Sequence, residues 1–295
     1  MPIGFMLTCI VDNLVGTKER AMATDKRKVL RRIEGDYLLD YATFTGAVHV
    51  YVTGNLEEHF AQHKDDFHRR MFVLAVYREE YSAYEDLGAM LDALLTNRRT
   101  PEVPLLERLL SYVSSEVKLS KVMKRFNVNS AQELHDRLGL DGLIPPNWAE
   151  QFSGLDLKKA LWMAADFFFV DCTKNQKEDG IQAFYKIKHA LLWVPNAKRY
   201  LPNQIEVPAA LFKADKSKPT SATNPFTLYA IPMTDAHLNE RLRSIHFIQM
   251  SLRLIAALRV IALYPEALKR RGFSNPADVW TPYMADVLDF IKQVR

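Results

Sequence analysis

From Arg241 to Tyr264 the chain reads "RLRSIHFIQMSLRLIAALRVIALY", apolar around nearly the whole circumference of a helix, with four arginines, one histidine and no acid. A helix that is hydrophobic all round belongs inside a core of other elements. Its cations then need partners from elsewhere in the chain, because an unpaired buried ion is strongly destabilising. Asp166 in "WMAADFFFV" and the cluster Arg78, Glu85 and Asp86 in "YREEYSAYEDLGAML" are the candidates for a buried polar seam with Arg253 and Arg259. Gly88 in the second segment offers a place where another helix can approach closely.

The rest of the chain supplies the helices that such a core requires. Asn55 as N-cap with Glu58 as its capping-box partner predicts a helix start. Phe60, Phe67, Met71, Leu74, Tyr81, Leu91 and Leu95, at steps that keep one helical face, predict a single helix over most of 56–97. Residues 105–126 form a second amphipathic helix, and Ser130 with Glu133 opens a short third one that Gly139 stops. Ser153 caps an apolar helix to about Cys172, and residues 176–194 form another. Thr234 or Asp235 opens the long basic helix, which bends at Pro265 and runs to about Gly272, and a last helix begins near Pro276. Upstream, Val29, Ile33, Tyr37 and Tyr41 have helical spacing, while "AVHVYVTG" fits helix or strand.

Residues 195–233 hold Pro195, Pro202, Pro208, Pro219, Pro225 and Pro232 and read as a long Pro-rich loop. "AALFKA" and "FTLYAI" are its strand-like segments and leave room for a small β-hairpin. The fold class is therefore mainly α, a multi-helix bundle forming one domain over 1–295. The loop "DGLIPPNW" is the point of subdivision, near 141–153, if the chain instead forms N-terminal helices over 1–145 and a C-terminal bundle over 153–295.

Hydrophobic residues at 48% and charged residues at 25%, without low-complexity tracts, exclude disorder and a coiled-coil-only chain. The formal charge of +4 permits a local basic patch but is too small to define a partner. Cys9 and Cys172 alone make neither a disulfide framework nor a zinc site, which points to the reducing cytoplasm. "ALWMAADFFFV" is too short to span a bilayer, where about 20 residues are needed, and no membrane association is expected. There is no Gly-rich phosphate loop and no strand-helix alternation, so neither a dinucleotide nor a P-loop fold is expected, and no cofactor is expected.

Three groups of residues could carry chemistry. His59, His63 and Asp66 fall on one helical face with the spacing of a two-histidine, one-carboxylate metal set, in a charged stretch that also reads as solvated surface; no metal is assigned to them. Tyr185, Lys188 and His189 crowd one turn and suit an anion. Arg241, Arg243 and His246 stand at the polar entrance of the long helix, where a ligand can reach them. His49, His135 and His237 have no assignable partners.

Three segments together carry a resemblance: "AYEDLGAMLDALL" near the end of a long helix, "FYKIKHALLW" before a loop, and Arg241 followed after four residues by His246. Over about residues 55–265 the layout resembles the HEPN superfamily of small α-helical bundles. That superfamily includes metal-independent ribonucleases of toxin and defence systems, together with inactive, dimerising or nucleotide-binding members. The resemblance implies His246 as the group that helps activate a ribose 2′-hydroxyl, Arg241 as the group that stabilises the phosphate, and Glu85 as a supporting acid. Arg243, Lys188 and His189 become candidate substrate contacts, RNA the expected partner, and a homodimer the expected assembly. The residue after the motif arginine, often polar in the family, is Leu242 here. Five residues along a helix separate side chains by roughly 140°, so Arg241 and His246 share one site only across a dimer or if the helix starts later. Arg243 and His246, three apart, share a face directly. A non-enzymatic helical protein that homodimerises or binds a protein partner is the alternative.

Overall fold

A computed structural model describes residues 25–62, 65–113, 116–146, 156–173 and 235–274, positions 287 and 289, and the backbone of three short strands. Helix α1 covers 25–43 and leads through a 3₁₀ turn, Thr45–Ala47, into α2, Val48–Gln62. A Cβ on Gly46 in this turn would stand 2.6 Å from the Tyr41 carbonyl oxygen and 2.7 Å from Cγ of Arg253, so only glycine lets the turn seat there. "AVHVYVTG" is thus helical.

The chain then reverses. Asp65 accepts a 3.1 Å hydrogen bond from the backbone N–H of His68 and so caps α3, Asp66–Arg99. α2 folds back on α3, with Phe60 stacked on Phe72 at a centroid distance of 5.0 Å. The single helix expected over 56–97 is therefore two, and Asn55 and Glu58 stand inside α2, not at its start. The apolar spacing continues across the break, so it carries no sign of the reversal that the Asp65 cap produces.

The helix expected over 105–126 is also two, α4, Leu105–Leu110, and α5, Leu119–Arg125. A Cβ on Gly88 would lie 1.8 Å from the Val117 carbonyl oxygen, so the segment before α5, not another helix, runs in backbone contact with α3. Arg108 of α4 and Arg125 of α5 both donate to the buried carboxylate of Asp92, Arg108 Nε at 2.5 Å, and clamp both elements to α3. α6, Ala131–Leu138, starts and stops as expected: Ser130 accepts from the Glu133 N–H at 3.1 Å, and Gly139 turns left-handed at φ 65°. The cap of α7, Leu157–Phe167, is Asp156 and not Ser153, its carboxylate accepting from the Lys159 N–H at 2.9 Å. A π turn, Phe168–Cys172, extends α7, which packs against α6.

Strands β1, Trp193–Val194, β2, Ala210–Ala214, and β3, Phe226–Ala230, pair antiparallel in that order. The residues joining them, and with them the expected Pro-rich loop, lie outside the described residues, as do most of the helices expected over 176–194 and from Pro276. α8, Asp235–Leu263, and α9, Pro265–Arg270, meet at Tyr264, with Pro265 the first residue of α9.

The fold is mainly α and is organised around α8, which touches α2, α3 and α7. Every residue from Ser244 to Val260 is buried except His246 and Phe247, as the all-round apolar pattern requires. Leu87, Leu91, Leu161 and Phe168 are among the side chains that share one core with its Leu252 and Leu258. By length and composition α8 could cross a membrane, and 78% of its most apolar window is buried inside this core.

The buried cations find partners other than those expected. Arg253 donates from Nε to the Ala42 carbonyl at 2.7 Å and from Nη2 to the Thr43 carbonyl at 3.4 Å, satisfying carbonyls that the end of α1 leaves without helical donors. Arg259 Nη2 donates to Asn97 Oδ1 at 2.9 Å. Asp166 is only half-buried on α7, and the Asp86 carboxylate faces His49.

Candidate functional site

Residues 50–57 of α2 and 239–246 of α8 face one another across an open groove. α2 contributes Val50, Thr53, Gly54 and Glu57, and α8 contributes Asn239, Leu242, Arg243 and His246. Each set has the spacing i, i+3, i+4, i+7, which keeps four side chains on one helical stripe. Met163 of α7 and Phe247 close the inner end, Phe247 packing on Phe167 at 4.6 Å between ring centroids, and the groove encloses about 930 Å³. The two walls are held in register by buried Gln249, whose Oε1 accepts from the Val50 N–H at 2.9 Å and so satisfies a free donor in the first turn of α2. Arg243 is exposed, His246 half-buried and Glu57 exposed, so an imidazole, a carboxylate and a guanidinium line one accessible concavity.

Arg241 points elsewhere. Its Cζ lies 3.7 Å from the centroid of the Tyr77 ring, and Nη1 donates to Glu80 Oε2. Glu80 is buried and its other oxygen accepts from the Tyr84 hydroxyl at 3.2 Å. Burial pushes the Glu80 carboxyl above its ordinary range, a shift that Arg241 and the Tyr84 hydroxyl oppose. Arg241 is thus a cation of the α3–α8 interface, on a different side of α8 from His246. Glu85 is half-buried on α3 and does not line the groove.

Lys188 and His189 lie outside the described residues, as do His63 and the side chain of Asp66. His59 meets the ring of His68 edge-on at 5.9 Å, and His68 Nδ1 is 2.5 Å from Asp65 Oδ2, so this end of the helical hairpin is a polar turn. Among the described residues no three His, Cys, Asp or Glu side chains are grouped to hold a metal ion.

Two features escaped the sequence reading. Glu57 was hidden because the expected helix start at Asn55 cut through the stripe to which it belongs. His49, without an assignable partner in sequence, lies between two carboxylates, with Nδ1 2.8 Å from Glu79 and Nε2 3.2 Å from Asp86. Burial disfavours its charge, but the hydrogen bonds and charges of Asp86 and Glu79 outweigh burial and lift its pKa to about 9. At neutral pH it is an imidazolium with both nitrogens donating, which suits it to hold α2 on α3 and not to act as a base. Comparison with protein-family models, with curated proteins and with solved structures finds no match to this chain.

Proposed function

We propose that the chain binds RNA and cleaves it without metal in the groove between α2 and α8, with His246 and Glu57 as the proton-transferring pair and Arg243 as the phosphate contact. One relationship carries the reading: His246 and Arg243 open on the same groove, while Arg241 is turned onto Glu80. Within one chain, the role that the HEPN resemblance gives to Arg241 passes to Arg243. The base removes the proton of a ribose 2′-hydroxyl, the freed oxygen attacks phosphorus, the bond from phosphorus to the 5′-oxygen breaks, and the acid protonates that leaving oxygen. The products are a 2′,3′-cyclic phosphate and a 5′-hydroxyl. Arg243 offsets negative charge as it builds on the phosphoryl oxygens. Incubation of end-labelled RNA with a chelator present tests this: wild-type protein cleaves, and His246→Ala is slower by about a hundredfold or more. Equal rates for the two proteins remove His246 from the mechanism.

A second reading is a non-enzymatic cytoplasmic protein that forms homodimers. It is favoured by Phe44, Val48 and Tyr51, which are 80%, 47% and 71% exposed around the start of α2. Light scattering that gives twice the monomer mass, together with no RNA turnover at any protein concentration, selects it; a monomer that cleaves RNA rejects it.

A further inference from the structure

We infer that the cleft where α3, α5 and α6 end is a docking surface for the phosphate backbone of single-stranded RNA, an inference that rests on the RNA reading above. The last turns of the three helices bring Arg98 and Arg99, Arg125, and Arg137 together. Two adjoining cavities of about 580 and 440 Å³ share Arg99, Arg125 and the buried ring of Phe126. The cleft therefore continues from one group of guanidinium groups to the next.

The charges along it are not balanced. Arg125 shares buried Asp92 with Arg108, and Glu116 lies 3.9 Å from both arginines. Arg98, Arg99 and Arg137 have no carboxylate within ion-pair distance among the described residues. Asp136 lines the second cavity, with Oδ1 accepting from Gln132 Nε2 at 2.8 Å. Arginines at a helix C-terminus ordinarily answer the partial charge of about half an electron there. That accounts for each arginine on its own helix, but not for three helix ends opening on one cleft. Glu107 also lines the first cavity but pairs with Arg27 Nε at 2.8 Å, so among the described residues Arg98, Arg99 and Arg137 outweigh Asp136 together with the three helix ends.

The chemistry selects the ligand. Every cation lining the two cavities is an arginine, whose planar fork grips phosphate oxygens in pairs. One or two guanidinium groups would satisfy a single anion. A row of them along a continuous cleft fits successive phosphates of one strand. At the junction the Arg98 guanidinium lies beside Gly139, where an added Cβ would stand 3.2 Å from its Cζ.

The test is fluorescence anisotropy of a labelled oligouridylate of roughly 20 nucleotides across a salt series, with the wild type, a triple variant carrying Arg98→Glu, Arg99→Glu and Arg137→Glu, and His246→Ala. The charge-reversed protein is expected to bind at least about tenfold more weakly at about 50 mM salt, and its log–log salt slope to fall by about 2, near 0.7 for each lost phosphate contact. The variant with lysine at the same three positions keeps the charge without the fork and falls between the two. A charge-reversed protein that melts like the wild type and binds with the same affinity and slope overturns the proposal, and so does a wild type that shows no binding at low salt. His246→Ala, followed in parallel for cleavage of the same oligonucleotide, reads the groove separately from the cleft. RNA bound through the cleft without His246-dependent cleavage leaves the docking surface standing and overturns the groove as a cleavage site.

Discussion

Arg241 and His246 occupy the same end of α8 yet serve different surroundings: the guanidinium lies 3.7 Å over the Tyr77 ring and on buried Glu80, and the imidazole opens on the groove. The five-residue offset turns them apart by roughly 140°. Removing Arg241 leaves a carboxylate that is 3% exposed without its cation. Arg241→Ala is therefore expected to lose about 3 kcal/mol of unfolding free energy, and Arg241→Met combined with Glu80→Leu to lose less, because no buried charge is orphaned. Urea titrations of the two proteins check the order. A double variant less stable than Arg241→Ala contradicts the account.

His49 makes stability depend on alkaline pH. Its pKa is raised from the ordinary 6.5 to about 9, so the folded state holds a proton that the unfolded state releases. The stabilisation is complete below about pH 6.5 and disappears as pH rises through about 9, with a total of about 2 kcal/mol after allowing for solvent at the triad. His49→Gln should abolish that slope between the two values. Midpoints of urea unfolding measured at intervals from about pH 6 to 10 for both proteins isolate it, since the remaining alkaline titrations are common to both.

Helix identity was legible in this chain because long apolar stripes have one cheap solution, burial against one another. Gly88 was legible as a point of close approach, and the buried stretch of α8 follows from its all-round apolar pattern. Partner choice was not. Arg253 uses the carbonyls of Ala42 and Thr43, and a backbone acceptor has no side-chain signature at all. The reversal between α2 and α3 was equally silent, because Asp65 caps a helix within a stretch whose apolar spacing continues. Once the reversal is placed wrongly, Glu57 leaves its stripe and His49 cannot be set against Glu79 and Asp86.

Gly88 and Gly54 should respond to alanine in opposite directions. A methyl at Gly88 meets the Val117 carbonyl oxygen at 1.8 Å, and that oxygen belongs to backbone that the Asp92 clamp holds in place. Gly88→Ala is expected to cost about 3 kcal/mol or more and to loosen α5. Gly54 is inside α2 with no atom within 4 Å of the added carbon, so Gly54→Ala should gain about 0.5–1 kcal/mol from helix propensity. Thermal melts of the two variants decide the contrast, and a neutral Gly88→Ala would mean that the 116–118 segment moves freely from α3.

Arg253 joins the centre of α8 to the last turn of α1, and its geometry separates charge from shape. Nε and Nη2 reach two successive carbonyls, Ala42 at 2.7 Å and Thr43 at 3.4 Å, which a guanidinium fork can do and a single ammonium cannot do equally well. Arg253→Lys keeps the charge in a site that is 2% exposed, yet should lose about 1–2 kcal/mol because one carbonyl is left without a donor. The loss should be local before it is global. The Phe44 amide, which donates to the Asp40 carbonyl at 2.9 Å in that last turn, is expected to exchange with solvent faster in Arg253→Lys, while amides in the middle of α3 change only by the global stability difference. Uniformly faster exchange would instead assign Arg253 to the core as a whole and not to the end of α1.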